Sequence, residues 1–154
     1  MEDKARDPQG YYQNMADQDC AFCRIGPQEL VFEDERTLAF LDHRPVFPGH
    51  CLLIPRAHYS TLADLPQDLL GPLFGNARLL AMAMEDALGA EGAFVAVNNK
   101  VSQSVPHLHV HVVPRRRKDG LRGFFWPRGK YEDAAQMERA RESLRSAMEK
   151  LTKI

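Results

Sequence analysis

The stretch Gln103-Ser104-Val105-Pro106-His107-Leu108-His109-Val110-His111-Val112-Val113-Pro114-Arg115 decides how this chain is read. Three of its histidines fall at every second position of an apolar run. In an extended strand successive side chains point to opposite faces, so His107, His109 and His111 share one face while Leu108, Val110 and Val112 take the other. Pro106 cannot donate to a sheet ladder and belongs at a strand's start or on an edge, which predicts a strand over His107 to Val113. A core needs the apolar face, but packing gives no reason to line the opposite face with titratable rings. Two chemistries use such rings. Neutral imidazoles two apart can ligate zinc, and an imidazole nitrogen attacks phosphorus near neutral pH when its other ring N–H is held by an acceptor. The pattern alone leaves both open, beside a merely structural histidine-faced strand.

Working outward, short apolar runs at Leu30 to Glu33, Thr37 to Leu41, Cys51 to Pro55 and Phe94 to Val97 are bounded by charged or Pro/Gly turn residues and predict further strands. Asp68 to Leu88 carries Leu69, Leu73, Ala77, Leu80 and Met84 at spacings of three and four, with Gly89 as a stop, and predicts a long helix over one sheet face. Glu132 to Leu151 predicts a polar helix whose narrow stripe of Met137, Leu144, Met148 and Leu151 suits ordinary core packing better than a partner surface. Short links favour antiparallel pairing. The expected fold is α+β: a mostly antiparallel five-stranded sheet, one long central helix and a C-terminal helix. Residues 1–19 are polar and weakly patterned and predict a flexible arm, with one domain over 20–154.

At 154 residues, 44% hydrophobic and 27% charged, the chain has the composition of an ordinary globular domain. It shows no signal segment and no apolar run near the roughly 18 residues that cross a membrane, so a cytoplasmic location is expected. The net charge of −1 is unevenly spread: Arg115 to Lys130 carries +6 and the remainder −7. Those arginines could rim a phosphate site, and Phe124, Phe125 and Trp126 could stack on a base or a second subunit; a solvated loop is the plainer reading. A pI near 6.6 argues against extended nucleic acid as a partner. Of three cysteines, Cys20 and Cys23 are spaced as half a zinc site, with histidines as the available partners; a redox dithiol and buried thiols are the alternatives. Cys51 reads as a core thiol.

The stretch from Gln103 to Arg115 resembles the signature of the histidine-triad family, His-φ-His-φ-His-φ-φ with φ apolar. The resemblance extends through Leu38-Ala39-Phe40-Leu41-Asp42, Pro45-Val46-Phe47-Pro48-Gly49-His50 and Leu52-Leu53-Ile54-Pro55, covering roughly residues 20 to 115. It implies the same five-stranded fold, a two-fold homodimer, and a nucleotide hydrolase or transferase acting at the α-phosphorus of nucleoside phosphoramidates or dinucleoside polyphosphates. The resemblance further implies His109 as the nucleophile that forms a covalent nucleotidyl-histidine, His111 on the phosphate or leaving-group side, and His107 behind the nucleophile. Gln103 and Ser104 match phosphate-binding positions, Asp42 a position that holds ribose hydroxyls, and Asn98 a further site asparagine. An AMP-type purine nucleotide is the implied substrate, with no organic cofactor. Prokaryotic relatives imply structural Zn2+ on Cys20, Cys23, His50 and His107. Many members have Gly where this chain has Ser102, and a positive φ there would suit Ser less well. A nucleotide-binding regulatory protein with vestigial turnover, and a hydrolase with all three histidines on a catalytic metal, are the competing readings.

Overall fold

The computed structural model describes residues 19–122 and 129–152. The chain forms two compact units, one ending at Asp119 and one beginning at Gly120. In the first, β1 (Leu30–Glu33), β2 (Thr37–Leu41) and β3 (Cys51–Pro55) are followed by α1 (Gln67–Leu88), β4 (Gly92–Val97) and β5 (Val110–Arg115); the second contains α2 (Ala134–Thr152). The sheet order is β1-β2-β3-β5-β4, and every neighbouring pair is antiparallel. The expected α+β architecture is therefore the observed one. The expected arm lies outside the described residues apart from Asp19, as do Phe124, Phe125, Trp126 and Arg128.

Strand alternation divides the sheet into two faces. Ala39, Leu53, Leu108, Val110 and Val112 join the core made with Leu69, Leu73, Ala77, Leu80 and Met84 of α1. Each fully buried leucine contributes roughly 1.5–3 kcal/mol relative to exposure. Phe40, Leu52 and Ile54 form a second cluster with Phe22, Ile25 and Leu38. His111 pairs with Leu52 across the β3–β5 ladder, so its ring stands on this second face, away from α1.

The active strand begins later than its sequence predicts. The ladder starts at Val110, opposite Leu53 of β3 and Val97 of β4, and β4 supplies no partner beyond Val97. The Leu108 N–H instead donates to the Tyr59 carbonyl at 2.6 Å. His107 and His109 thus precede the strand, and only His111 lies within it.

α1 contains Pro72, whose missing N–H leaves the Asp68 carbonyl without its helical donor. Arg36 Nη1 donates to that carbonyl at 3.3 Å. The helix ends at Gly89, with φ +63°. In α2 the stripe predicted to pack is open: Leu144, Met148 and Leu151 are each more than half exposed, and no residue of the helix is buried.

Candidate active site and metal cluster

A tight turn at Phe22–Arg24 accompanies the cysteine pair, which lies against the start of the histidine stretch. His107 Nδ1 lies 3.6 Å from Cys20 Sγ and 3.4 Å from Cys23 Sγ, and His58 Nδ1 lies 3.3 Å from Cys23 Sγ. Zinc–sulfur and zinc–nitrogen bonds of about 2.3 and 2.0–2.1 Å, joined at a tetrahedral angle, put sulfur and nitrogen about 3.5 Å apart. The donor set and its spacing therefore fit a tetrahedral Cys2His2 zinc site made by Cys20, Cys23, His58 and His107. The ring protons agree. His107 Nε2 is 2.9 Å from the Pro55 carbonyl, which can only accept, so the proton sits on Nε2 and Nδ1 offers its lone pair to the cluster.

His50, expected as the fourth ligand, is not in this cluster. The antiparallel register explains why: Cys51 faces Val112, so the residue entering β3 lies beside the later part of β5, while the chain leaving β3 returns to the level of His107. His50 accordingly meets His111, with Nε2 to Nδ1 at 3.0 Å, and His58 takes the place expected of it. The sequence signal for His58 was its position three residues past the end of β3, informative only once β3 is paired antiparallel with β5.

Among the three histidines only His107 joins the cluster; His109 and His111 line a cavity of about 380 Å³ on the other side. His109 is 4% exposed, and its Nδ1 is 2.7 Å from the His107 carbonyl. That carbonyl must accept, so Nδ1 carries the proton and Nε2 the lone pair. Phe22, held between the two cysteines, packs edge-on against the His109 ring with centroids 5.1 Å apart and planes at 90°. Its contribution was not visible in sequence, where it was simply the apolar residue of a Cys pair. With Ile25, Phe40 and Leu52 it makes the apolar wall of the cavity, facing Asp42, Ser104, His109 and His111.

Burial, and then the neighbouring rings of His109 and His50, push His111 down from its ordinary 6.5 to about 4, against the opposing pull of Asp42. Burial also lowers His50, again opposed by Asp42. Both rings are thereby held neutral at neutral pH. Asp42 Oδ2 lies 3.7 Å from His50 Nε2, while its Oδ1 accepts the Arg44 N–H at 2.8 Å in a turn. The carboxylate thus both ends β2 and borders the cavity.

Other expected contacts are differently employed. Gln103 does not line the cavity; its Oε1 accepts the Lys100 N–H at 2.8 Å and its Nε2 donates to the Ser60 carbonyl at 2.5 Å. Both ends of its carboxamide take part in shaping the loop. Asn98 is exposed just beyond β4 and does not line the cavity, and Asn99 Oδ1 caps the Leu62 N–H at 2.8 Å. Ser102 does adopt the glycine-favouring region, with φ +58°, at a cost of roughly 1–2 kcal/mol for a non-glycine residue. The first three arginines of the basic stretch are occupied: Arg115 pairs with Asp119 at 2.6 Å, Arg117 with Glu91 at 3.7 Å, and Arg116 donates to the Leu88 and Gly89 carbonyls at the end of α1. Cys51 is 3% exposed, and burial raises its thiol, as suits a core residue.

Comparison with known proteins agrees with this geometry. The HIT domain profile matches residues 25–118. Adenylylsulfatase HINT3 of Arabidopsis thaliana is 34% identical over 67% of this chain and 55% of its own length. The asymmetrical bis(5'-nucleosyl)-tetraphosphatase of Schizosaccharomyces pombe is 32% identical over 62% of this chain and 53% of its own length. The chain thus spans about half of each. The crystal structure of a zinc-bound histidine triad family protein from Mycobacterium smegmatis superposes with a TM-score of 0.65 at 34% identity, covering 85% of this chain and 99% of that one.

Proposed function

The chain belongs to the HIT domain family, and from that premise we propose that it is a nucleotidyl hydrolase or transferase whose nucleophile is Nε2 of His109. The observation that carries the reading is the 2.7 Å contact from His109 Nδ1 to the His107 carbonyl. It fixes the lone pair on Nε2 of a ring that lines the cavity, and it supplies an acceptor for the Nδ1 proton as the ring becomes cationic. Nε2 forms a bond to the α-phosphorus while the bond from phosphorus to the leaving group breaks, and the leaving group departs with a proton. Water then attacks the nucleotidyl-histidine, releases the nucleotide and restores the neutral ring. Substrates are AMP-type: adenosine phosphoramidates, dinucleoside polyphosphates and, by likeness to the plant relative, adenylyl sulfate. The base packs against Phe22, Ile25 and Phe40, Asp42 takes the ribose hydroxyls, and Ser104 and His111 donate to the phosphate.

Zn2+ belongs to the same reading, held by Cys20, Cys23, His58 and His107, where it would supply a structural cross-link rather than a step of the reaction. So does a cytoplasmic homodimer. The homodimer is supported by the apolar surface left on α1 and β4, where Leu79 and Met82 are each 52% exposed and Val95 44%.

The test is chemical. Wild-type protein incubated with an adenosine phosphoramidate and quenched early should carry AMP on His109, found by peptide mass spectrometry, and His109→Ala should lose both the adduct and turnover. Full activity in His109→Ala would remove that residue from the mechanism. Saturable AMP binding without hydrolysis of any of the three substrate types would mark a regulatory nucleotide-binding protein instead.

A further inference from the structure

Asp42, His50 and His111 bring three possible ligand atoms within 4.8 Å of one another beside the nucleophile. The hydrogen bonds at His50 argue against a metal there. The Val46 backbone N–H, which can only donate, lies 3.1 Å from His50 Nδ1. Nδ1 must therefore accept, so the single proton of the neutral ring is on Nε2. A histidine that ligated a metal through Nε2 would carry its proton on Nδ1 and donate it outward, the reverse of what Val46 allows. A cationic ring is excluded by the same contact, because it would set two N–H groups against each other.

The consequence passes to the next ring. His50 Nε2–H points at His111 Nδ1 across 3.0 Å, so Nδ1 of His111 must accept and its own proton must sit on Nε2. We infer that His50 is a positioning residue: it relays the orientation of the Val46 amide into the tautomer of His111, holding His111 Nε2–H as a neutral donor toward the phosphate of a bound nucleotide. The turn that aims Val46 at His50 is itself specified. Gly49 has φ +98°, a conformation that residues with a side chain rarely adopt, so the turn favours glycine there. The His50 N–H closes the turn on the Phe47 carbonyl at 3.0 Å, and the residue is 3% exposed. No other described contact sets the proton on His111.

This inference rests on the proposed nucleotidyl chemistry, but part of its test does not. Nitrogen-15 NMR of the histidine side chains in the metal-loaded protein at neutral pH should show His50 and His111 each protonated on Nε2 alone, with scalar coupling across the bond from His50 Nε2–H to His111 Nδ1. Protonation of either ring on Nδ1 would overturn the assignment. Turnover of an adenosine phosphoramidate then separates positioning from folding. His50→Gln keeps a donor at the place of Nε2 and should keep most of the activity. His50→Asn keeps only the acceptor toward Val46 and should lose roughly ten- to a hundredfold in kcat, approaching the loss of one oriented donor, with KM less affected and the same thermal unfolding as His50→Gln. Equal kcat in the two variants would refute the relay. A wild type that turns over no nucleotide would sink the enzyme reading, and the NMR result alone would then decide the tautomer chain.

Discussion

Replacing His58 by alanine tests the metal cluster against the ligand set that sequence resemblance implies. His58 Nδ1 and His107 Nδ1 approach Cys23 Sγ at 3.3 and 3.4 Å, close to the separation of about 3.5 Å that a tetrahedral zinc imposes. The fold therefore presents the four donors with little rearrangement, and losing one removes a bond rather than an orienting group. Loss of a mere outer-shell partner weakens metal binding about 10- to 100-fold, so a hundredfold is a conservative figure for losing a ligand. With metal in excess over both dissociation constants, a hundredfold weaker affinity removes about 2.7 kcal/mol of stabilisation. For a chain of this size that lowers the melting temperature by about 5–11 °C. The assay is zinc per chain by mass spectrometry after gel filtration, with thermal unfolding in added zinc and in chelator. His58→Ala should retain substoichiometric zinc and melt lower in zinc, with little further change in chelator, whereas His50→Ala should retain wild-type zinc. Zinc kept by His58→Ala and lost by His50→Ala would refute both the cluster and the register argument behind it.

Two further outcomes follow from the charges. His111 is depressed to about 4 in the folded protein against 6.5 when unfolded, so the unfolded chain binds the extra proton between those values. The stabilisation is complete above pH 6.5 and is lost as pH falls toward 4, at up to roughly 1.4 kcal/mol per pH unit. Urea unfolding of wild type and His111→Asn should therefore converge in relative stability over that window, and parallel curves would show that His111 does not titrate as its surroundings demand. Arg116→Ala should cost about 0.3–1 kcal/mol by uncapping the end of α1, lowering the melting temperature while leaving KM for nucleotide unchanged; a raised KM with unchanged melting would return Arg116 to a phosphate-steering role.

Periodicity was enough for the first three strands and for α1 with its buried face. Strands at Leu30–Glu33, Thr37–Leu41 and Cys51–Pro55 and a helix ending at Leu88 are bounded by local signals, since turn residues, Gly89 and the spacing of Leu69, Leu73, Ala77 and Met84 act within a few residues of themselves. The start of β5 is not local. It depends on where β4 stops and on the Tyr59 carbonyl claiming the Leu108 N–H, neither of which the alternation of His107 to Val113 can express. The same limit separates the two metal readings. Choosing His58 over His50 needs the direction in which β3 runs past β5, a fact of pairing rather than of composition. The basic run from Arg115 shows a further kind of loss: charge is readable in sequence, but whether a guanidinium is available depends on Glu91, Asp119 and the carbonyls at the end of α1.

What distinguishes the histidines is the group that claims one nitrogen of each, a backbone group for His107, His109 and His50, and His50 itself for His111. The Pro55 carbonyl takes the proton of His107 on Nε2 and turns Nδ1 to the cysteines. The His107 carbonyl takes the proton of His109 on Nδ1 and leaves Nε2 for the cavity. The Val46 amide claims Nδ1 of His50, and His50 passes the constraint to His111. In the proposed reading ligand, nucleophile and donor come from one residue type, with the proton on Nε2 of His107 and His111 and on Nδ1 of His109, and the backbone groups that set His107, His109 and His50 cannot titrate. A side-chain partner, such as His50 is for His111, can lose or gain its proton as conditions change; a carbonyl or an amide cannot, so the tautomers of His107, His109 and His50 persist as long as the local backbone does. Substitutions that shift the backbone at Pro55, His107 or Val46 should therefore disturb the chemistry of rings they never touch.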